Sequence, residues 1–167
     1  MAADATTTAD TTTTTTVLVG VDYSDHSFHA LEEAARFVAA RFPPGAADLV
    51  AVHARRHLTP AFVAIDAVAP VLSVEAAEQR GMEKLIREKA RQLSAKYGVG
   101  IKLEVKDGEA KRVVCDAVGE HGAGVLVVGS RGHGPVLRAL LGGSVSDYCC
   151  RHASCPVMVV KMPRPQP

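Results

Sequence analysis

Residues 125–161 read VLVVGSRGHGPVLRALLGGSVSDYCCRHASCPVMVVK. Val125–Val128 is an apolar, β-branched run that stops at Gly129, the pattern of a buried strand with a sharp exit. A glycine-rich, basic segment follows, with Gly129, Arg131, Gly132, His133 and Gly134. Gly142, Gly143 and Ser144 then open a short helical segment, and Val157–Val160 is a second apolar run. The order is a strand, a loop shaped for an anion, a helix N-terminus and another strand.

Working outward, Val17–Val21 (VLVGV) is an apolar run ending at Asp22, which predicts a buried strand. Ser24-Asp25 opens a helical pattern with Ala30, Leu31, Ala34, Ala35, Phe37 and Val38 on one face. Either Ser24 or Asp25 is suited to accept from the open amides of its first turn. Pro43-Pro44-Gly45 ends that helix. Leu49–Ala54 (LVAVHA) predicts the second strand. Residues 55–71 carry Pro60 and Pro70 and predict a long connection with at most a short helix.

From about Leu72 to Tyr97, the spacing of Met82, Leu85, Ile86, Ala90, Leu93 and Tyr97 predicts a helix. Glu83/Arg87 and Lys84/Glu88 are expected to pair along its wet face. Val99–Lys106 alternates as an edge strand does, and Asp107-Gly108 turns the chain. Ala110, Val113, Val114, Ala117 and Val118 predict a third helix ending near His121-Gly122.

Strands and helices alternate, and the strands are nearly continuous apolar runs. The expected class is α/β and Rossmann-like: a single doubly wound, five-stranded parallel sheet, order 3-2-1-4-5, with about four helices. In such a sheet the order reverses between strands 1 and 4, and ligands bind beyond their carboxyl ends. Asp22 stands at one of those ends and Gly129-Ser130-Arg131-Gly132 at the other. A carboxylate is therefore expected to face a glycine loop across a crevice.

Composition narrows the function. The chain has 167 residues, one domain at roughly 100–200 residues each. The domain is expected over 17–161, between a disordered Thr-rich tail at 1–16 and a Pro-rich tail at 162–167. With 19 basic and 18 acidic residues the net charge is +1, which supplies no field for nucleic acid or anionic lipid. Trp is absent, so stacking platforms for single strands are not expected either. No apolar run approaches the ~20 residues that span a bilayer. The Thr-rich tail lacks an apolar core and Arg, and does not read as a signal or transit peptide.

Cys115, Cys149, Cys150 and Cys155 show neither CxxC nor finger spacing. They fit a reduced cytoplasmic or nuclear protein better than a disulfide scaffold. Cys149 and Cys150 read either as packing residues on a helix or as a thiol switch.

A phosphate-binding loop needs backbone N–H groups aimed at the anion and no side chain in the way, which Gly129 and Gly132 allow. A helix N-terminus adds open amides and the positive end of its dipole. Gly142-Gly143-Ser144 supplies one, with the Ser144 and Ser146 hydroxyls as further donors. Ser144 and Asp147 also have the spacing of a capping box, so Ser144 is a helix cap, a phosphate ligand or both. Arg131 and His133 would add charge. Asp22 is suited to accept from ribose hydroxyls or an adenine amine, or to cap the first helix. GxxxxGK[ST] is absent, and GxGxxG does not follow the first strand, so neither a P-loop nor the usual dehydrogenase fingerprint is present.

These residues resemble the universal stress protein family, whose signature is G-x2-G-x9-G-[S/T]. Gly129-Ser130-Arg131-Gly132 matches G-x2-G, and nine residues, His133–Leu141, lead to Gly142. The flanking SVSDY and CPVMVVK, the opening VGVDYSDHS and AVHA are similar too, over about Val17–Lys161, with the last forty residues most like plant members. The resemblance implies an adenine-nucleotide site, for ATP or AMP, with Mg²⁺ as an open question. Val21 and Asp22 would meet the adenosine, Ala54 the base, and Val128 and Gly129 the ribose side. Ser130, Arg131, Gly132, Gly142, Gly143, Ser144, Val145 and Ser146 would hold the phosphates. The last strand (Val157, Met158, Val159, Val160) would pair two subunits into a homodimer.

One departure stands out: Gly142-Gly143-Ser144 replaces a direct Gly-[S/T]. The extra glycine is either absorbed in the loop or shifts the helix start by about 1.5 Å.

Two functions remain in view. One is a nucleotide-binding regulatory or protective module of the stress response, with slow ATP hydrolysis at most, since no residue is an obvious base. The other is an interaction or chaperone-like protein that keeps the fold without using nucleotide.

Overall fold

The apolar run at 17–21 lies at the centre of the sheet. In the computed structural model, which describes residues 14–55, 65–130 and 144–163 (backbone alone at 65–73 and 75), β1 spans Thr15–Val21. Parallel strands flank it on both sides: β2 (Ala47–Arg55) and β4 (Val125–Gly129). β3 (Ile101–Asp107) continues beyond β2, and β5 (Val157–Val160) beyond β4. The order is β3-β2-β1-β4-β5, all parallel, as expected from the sequence.

Successive residues of a strand point to opposite faces. Val17, Val19 and Val21 join one apolar cluster under α1 (Asp25–Arg41) and α2 (Ile65–Tyr97). Leu18 joins the other, under α3 (Ala110–Glu120) and α4 (Val145–His152). Val17, Leu18 and Val19 are wholly buried, each contributing about 2 kcal/mol relative to exposure. Four helices thus cover the two faces among the described residues, two on each.

Helix α1 begins as the sequence indicates: Ser24 is the N-cap, its Oγ accepting from the Ser27 amide at 3.2 Å. Its buried face is Ala30, Leu31, Ala34, Ala35 and Val38. It ends at Arg41, and Gly45 turns the chain with φ of 81°.

Several local expectations are corrected. β1 starts at Thr15, taking in two threonines of the expected tail, while 1–13 and 164–167 lie outside the described residues. Helix α2 starts at Ile65 and not near Leu72, so the expected loop at 55–71 is helical in its last part. Pro70 is its sixth residue, where the one forfeited amide bond falls in the first turns. Residues 56–64, with Pro60, lie outside the described residues.

Ile86, Ala90 and Leu93 are buried, but Leu85 is 52% exposed, off the stripe that 86, 90 and 93 define. The pairs Glu83/Arg87 and Lys84/Glu88 give way to others. Glu83 meets Arg55 at 3.3 Å, while Glu88 takes Arg91 at 2.7 Å and Gln92 at 3.2 Å. Arg55 stands at the end of β2 and its fork also bonds Asp107 at 2.6 Å, so it holds Glu83 and Asp107 together.

β3 is an edge, as its alternation suggested, and it carries charge. Lys102 faces Asp48, Glu104 faces His121 and Lys106 faces Glu120. No described helix is long and apolar enough to cross a membrane.

Candidate functional site

β1 and β4 lie side by side, and the next described helices after them pack on opposite faces, α1 after β1 on one and α4 after β4 on the other. This is the switch point at which open α/β sheets bind ligands. Asp22 follows β1 and Ser130 follows β4.

Asp22 is tied into the start of α1. Its Oδ1 accepts from the Ser24 amide at 2.8 Å, and its backbone carbonyl accepts from the Ser27 hydroxyl at 2.7 Å. Ser27 is 5% exposed. The two bonds fix the strand-to-helix turn, so Asp22 is held in place. It does not cap α1 itself; Ser24 does.

Gly129 closes β4 directly beneath that turn. An ideal Cβ there would lie 2.9 Å from the His26 carbonyl oxygen and 3.1 Å from its carbon. The glycine is needed for α1 to approach, whatever else passes over it. Val21 and Val128 are 5% and 3% exposed, with side chains in the cores on opposite faces. Only their backbones are available to a ligand. Ala54 is half-buried and packs toward the α3 side.

Ser130 donates its amide to the Val160 carbonyl at 2.8 Å, which pins the exit of β4 to β5 and removes that amide from the anion donors expected there. Arg131, Gly132, His133, Gly134, Gly142 and Gly143 lie outside the described residues.

Ser144 is the N-cap residue of α4, but its hydroxyl makes no cap bond. It pairs with the Ser146 hydroxyl at 2.7 Å. The capping box with Asp147 does not form, because Asp147 turns to Arg151 at 2.5 Å, one helical turn on. Val145 is half-buried against the apolar cluster under α3 and α4. Ser144 and Ser146 thus stand together, and the segment joining them to Gly129-Ser130 is the one not described.

His53 was missed by the sequence reading. It is 7% exposed at the carboxyl end of β2, and its Nδ1 lies 3.0 Å from the Val21 carbonyl oxygen. A carbonyl can only accept, so Nδ1 carries the proton. His53 thereby ties the ends of β2 and β1 together beside Asp22. A polar residue inside LVAVHA was the available signal. Among the described residues no group of three or more His, Cys, Asp or Glu converges on a metal position.

β5, the expected subunit-pairing strand, is a sheet edge with Val159 38% exposed and Val160 buried. Beside it runs an open groove of about 530 Å³ that includes Phe37 and Ala40 of α1 and Met158 and Val159 of β5.

The universal stress protein family model matches residues 13–161. A universal stress protein A-like protein of Arabidopsis thaliana is 44% identical over 64 residues, 38% of this chain and 36% of the relative. The chain's matches span 24% to 36% of the length of its Arabidopsis relatives. Among solved structures, the UspA protein of Lactobacillus plantarum superposes with a TM-score of 0.70 at 26% identity, covering 88% of this chain and 97% of that one. A universal stress protein in complex with cAMP superposes with a TM-score of 0.63 at 27% identity, covering 87% and 96%.

Proposed function

The chain belongs to the universal stress protein family, and on that premise we propose that it binds an adenine nucleotide, ATP or AMP, between the ends of β1 and β4. The observation that carries this reading is the switch point itself, with Asp22 fixed at its mouth, its carboxylate by the Ser24 amide and its carbonyl by the Ser27 hydroxyl. The similar protein held with cAMP supports the ligand class. In this reading Asp22 accepts from the ribose or the adenine amine, with the Val21, Val128 and Gly129 backbones and Ala54 alongside the nucleoside. Residues 130–132 and 142–146 hold the phosphates, and Mg²⁺, where ATP is the ligand, is held chiefly by phosphate oxygens and water. Two chains pair through β5, and occupancy alters the surface the dimer offers to partners. Among the described residues no base is placed to activate water, and in this reading hydrolysis is slow or absent.

One observation favours the nucleotide-independent alternative: the Ser130 amide and the Ser144 and Ser146 hydroxyls already have partners within the chain. Calorimetry with ATP, AMP and GTP, each with and without Mg²⁺, separates the two. Saturable heat from an adenine nucleotide, lost in Gly132→Val with the fold retained, supports the site; no heat and no thermal shift from any adenine nucleotide overturns it.

A further inference from the structure

Cys149 points inward from α4 and is wholly buried, whereas its neighbour Cys150 is exposed. The thiol that Cys149 meets is Cys115 of α3, 34 residues earlier, with the two sulfurs 3.6 Å apart. Cys115 is half-buried, and both pack in the apolar cluster that joins α3 and α4 to the sheet. Cys155, just before β5, belongs to the same cluster. As small apolar groups these thiols need no reactivity to explain their packing. The distance goes further, because a disulfide of about 2.05 Å requires the sulfurs to close by only ~1.5 Å.

We propose that Cys115 and Cys149 form an oxidisable pair that a hydroperoxide converts into an intramolecular disulfide bridging α3 and α4. Cys115 is the entry point, since it alone of the two reaches solvent. Its sulfur attacks the peroxide: an S–O bond forms, the O–O bond breaks, and water leaves when the oxidant is hydrogen peroxide. The Cys149 sulfur then attacks the resulting sulfenic acid. The S–S bond forms, the S–O bond breaks and a second water leaves. Two thiols lose two electrons and two protons, and the peroxide is reduced to two waters. Burial raises the thiol pKa values of Cys115 and Cys149 above the ordinary value, so both stay protonated at neutral pH and the reaction is slow. The bridge closes a ring that contains β4 and the whole glycine-rich segment.

The test treats the full chain with hydrogen peroxide, blocks the remaining thiols, and maps peptides without reduction. The expected product is a monomer lighter by two hydrogens, with Cys115 joined to Cys149 and Cys150 still alkylated. Cys150→Ser should behave identically, and Cys115→Ser should not form the bridge. The oxidised chain should melt higher by roughly 5 °C, and a dithiol should reverse the shift. A bridge from either residue to Cys155, an intermolecular bridge through Cys150, or sulfinic acid at Cys115 with no bridge would each overturn the assignment. Mapping the unsubstituted chain decides the matter even if a variant fails to fold.

Discussion

The carbonyl oxygen of His26 lies 2.9 Å from where a Cβ on Gly129 would sit. The first turn of α1 therefore rests on the bare backbone of the last residue of β4, and the helix that follows β1 is seated by the strand beside it. Gly129→Ala is expected to lower stability by roughly 1–3 kcal/mol, because the obstacle is backbone and cannot swing aside. Gly20→Ala should cost less, since its Cβ would meet side-chain methyls alone, the nearest of Val114 at 3.3 Å. Urea midpoints of the two variants should fall in that order; a Gly129→Ala midpoint equal to wild type would mean that α1 yields freely.

Ser27 holds the turn that carries Asp22. Removing its hydroxyl leaves the Asp22 carbonyl without that donor, and Ser27→Ala should cost about 1 kcal/mol. Ser24→Ala removes the cap and should cost ~0.5–2 kcal/mol. Thermal melts check both, and a neutral Ser27→Ala would show that the turn stands without it.

Glu32 of α1 accepts from Lys96 at 2.7 Å and from the Tyr97 hydroxyl at 2.9 Å, joining α1 to the end of α2. The lysine, then the tyrosine, hold its carboxyl below the ordinary value of 4.5. The unfolded chain thus takes up this proton at higher pH than the folded one. The contribution is complete well above pH 4.5 and fades as pH falls through the depressed folded value. Glu32→Gln should be less stable than wild type near neutral pH, by a modest amount since Lys96 is well exposed, and the gap should close in strong acid. Denaturation at neutral pH and at about pH 3 tests this; a gap of equal size at both would assign the effect to something other than ionisation.

Val159 is the exposed apolar side chain of β5. If two chains pair through that strand, Val159→Lys places like charges at the contact and should yield a monomer by light scattering, with an unchanged circular dichroism spectrum. A wild-type protein that is already monomeric, or a dimer that persists in the variant, would reject pairing through β5.

Much of the sheet was legible because its strands are short apolar runs separated by helical spacing. Val17–Val21 and Val125–Val128 announce buried parallel strands, and alternation of the two periods fixes the winding. The start of α2 was not legible, because Pro70 reads as a break, whereas the helix carries it as its sixth residue at the loss of one amide bond. Asp22 and Gly129 stand at the ends of β1 and β4 as expected, yet Gly129 has a further reason to be glycine: one that admits a helix looks the same in sequence as one that admits a phosphate. His53 was passed over because a strand reading weighs only the apolar letters around it. The partner of Cys149 was out of reach altogether. Adjacency suggested Cys150, but neighbours on a helix point about 100° apart, and the true contact is 34 residues away.

The two rims of the sheet are chemically unlike. β5 offers apolar residues beside a groove that Glu33, Arg36, Arg41 and Lys161 also line, while β3 presents Lys102, Glu104 and Lys106, which face Asp48, His121 and Glu120. If β5 is the rim through which two chains pair, a chain whose other rim is charged can add a neighbour only once. Two copies so joined would turn β3 outward at both ends, where assembly would terminate before any continuous ribbon could grow.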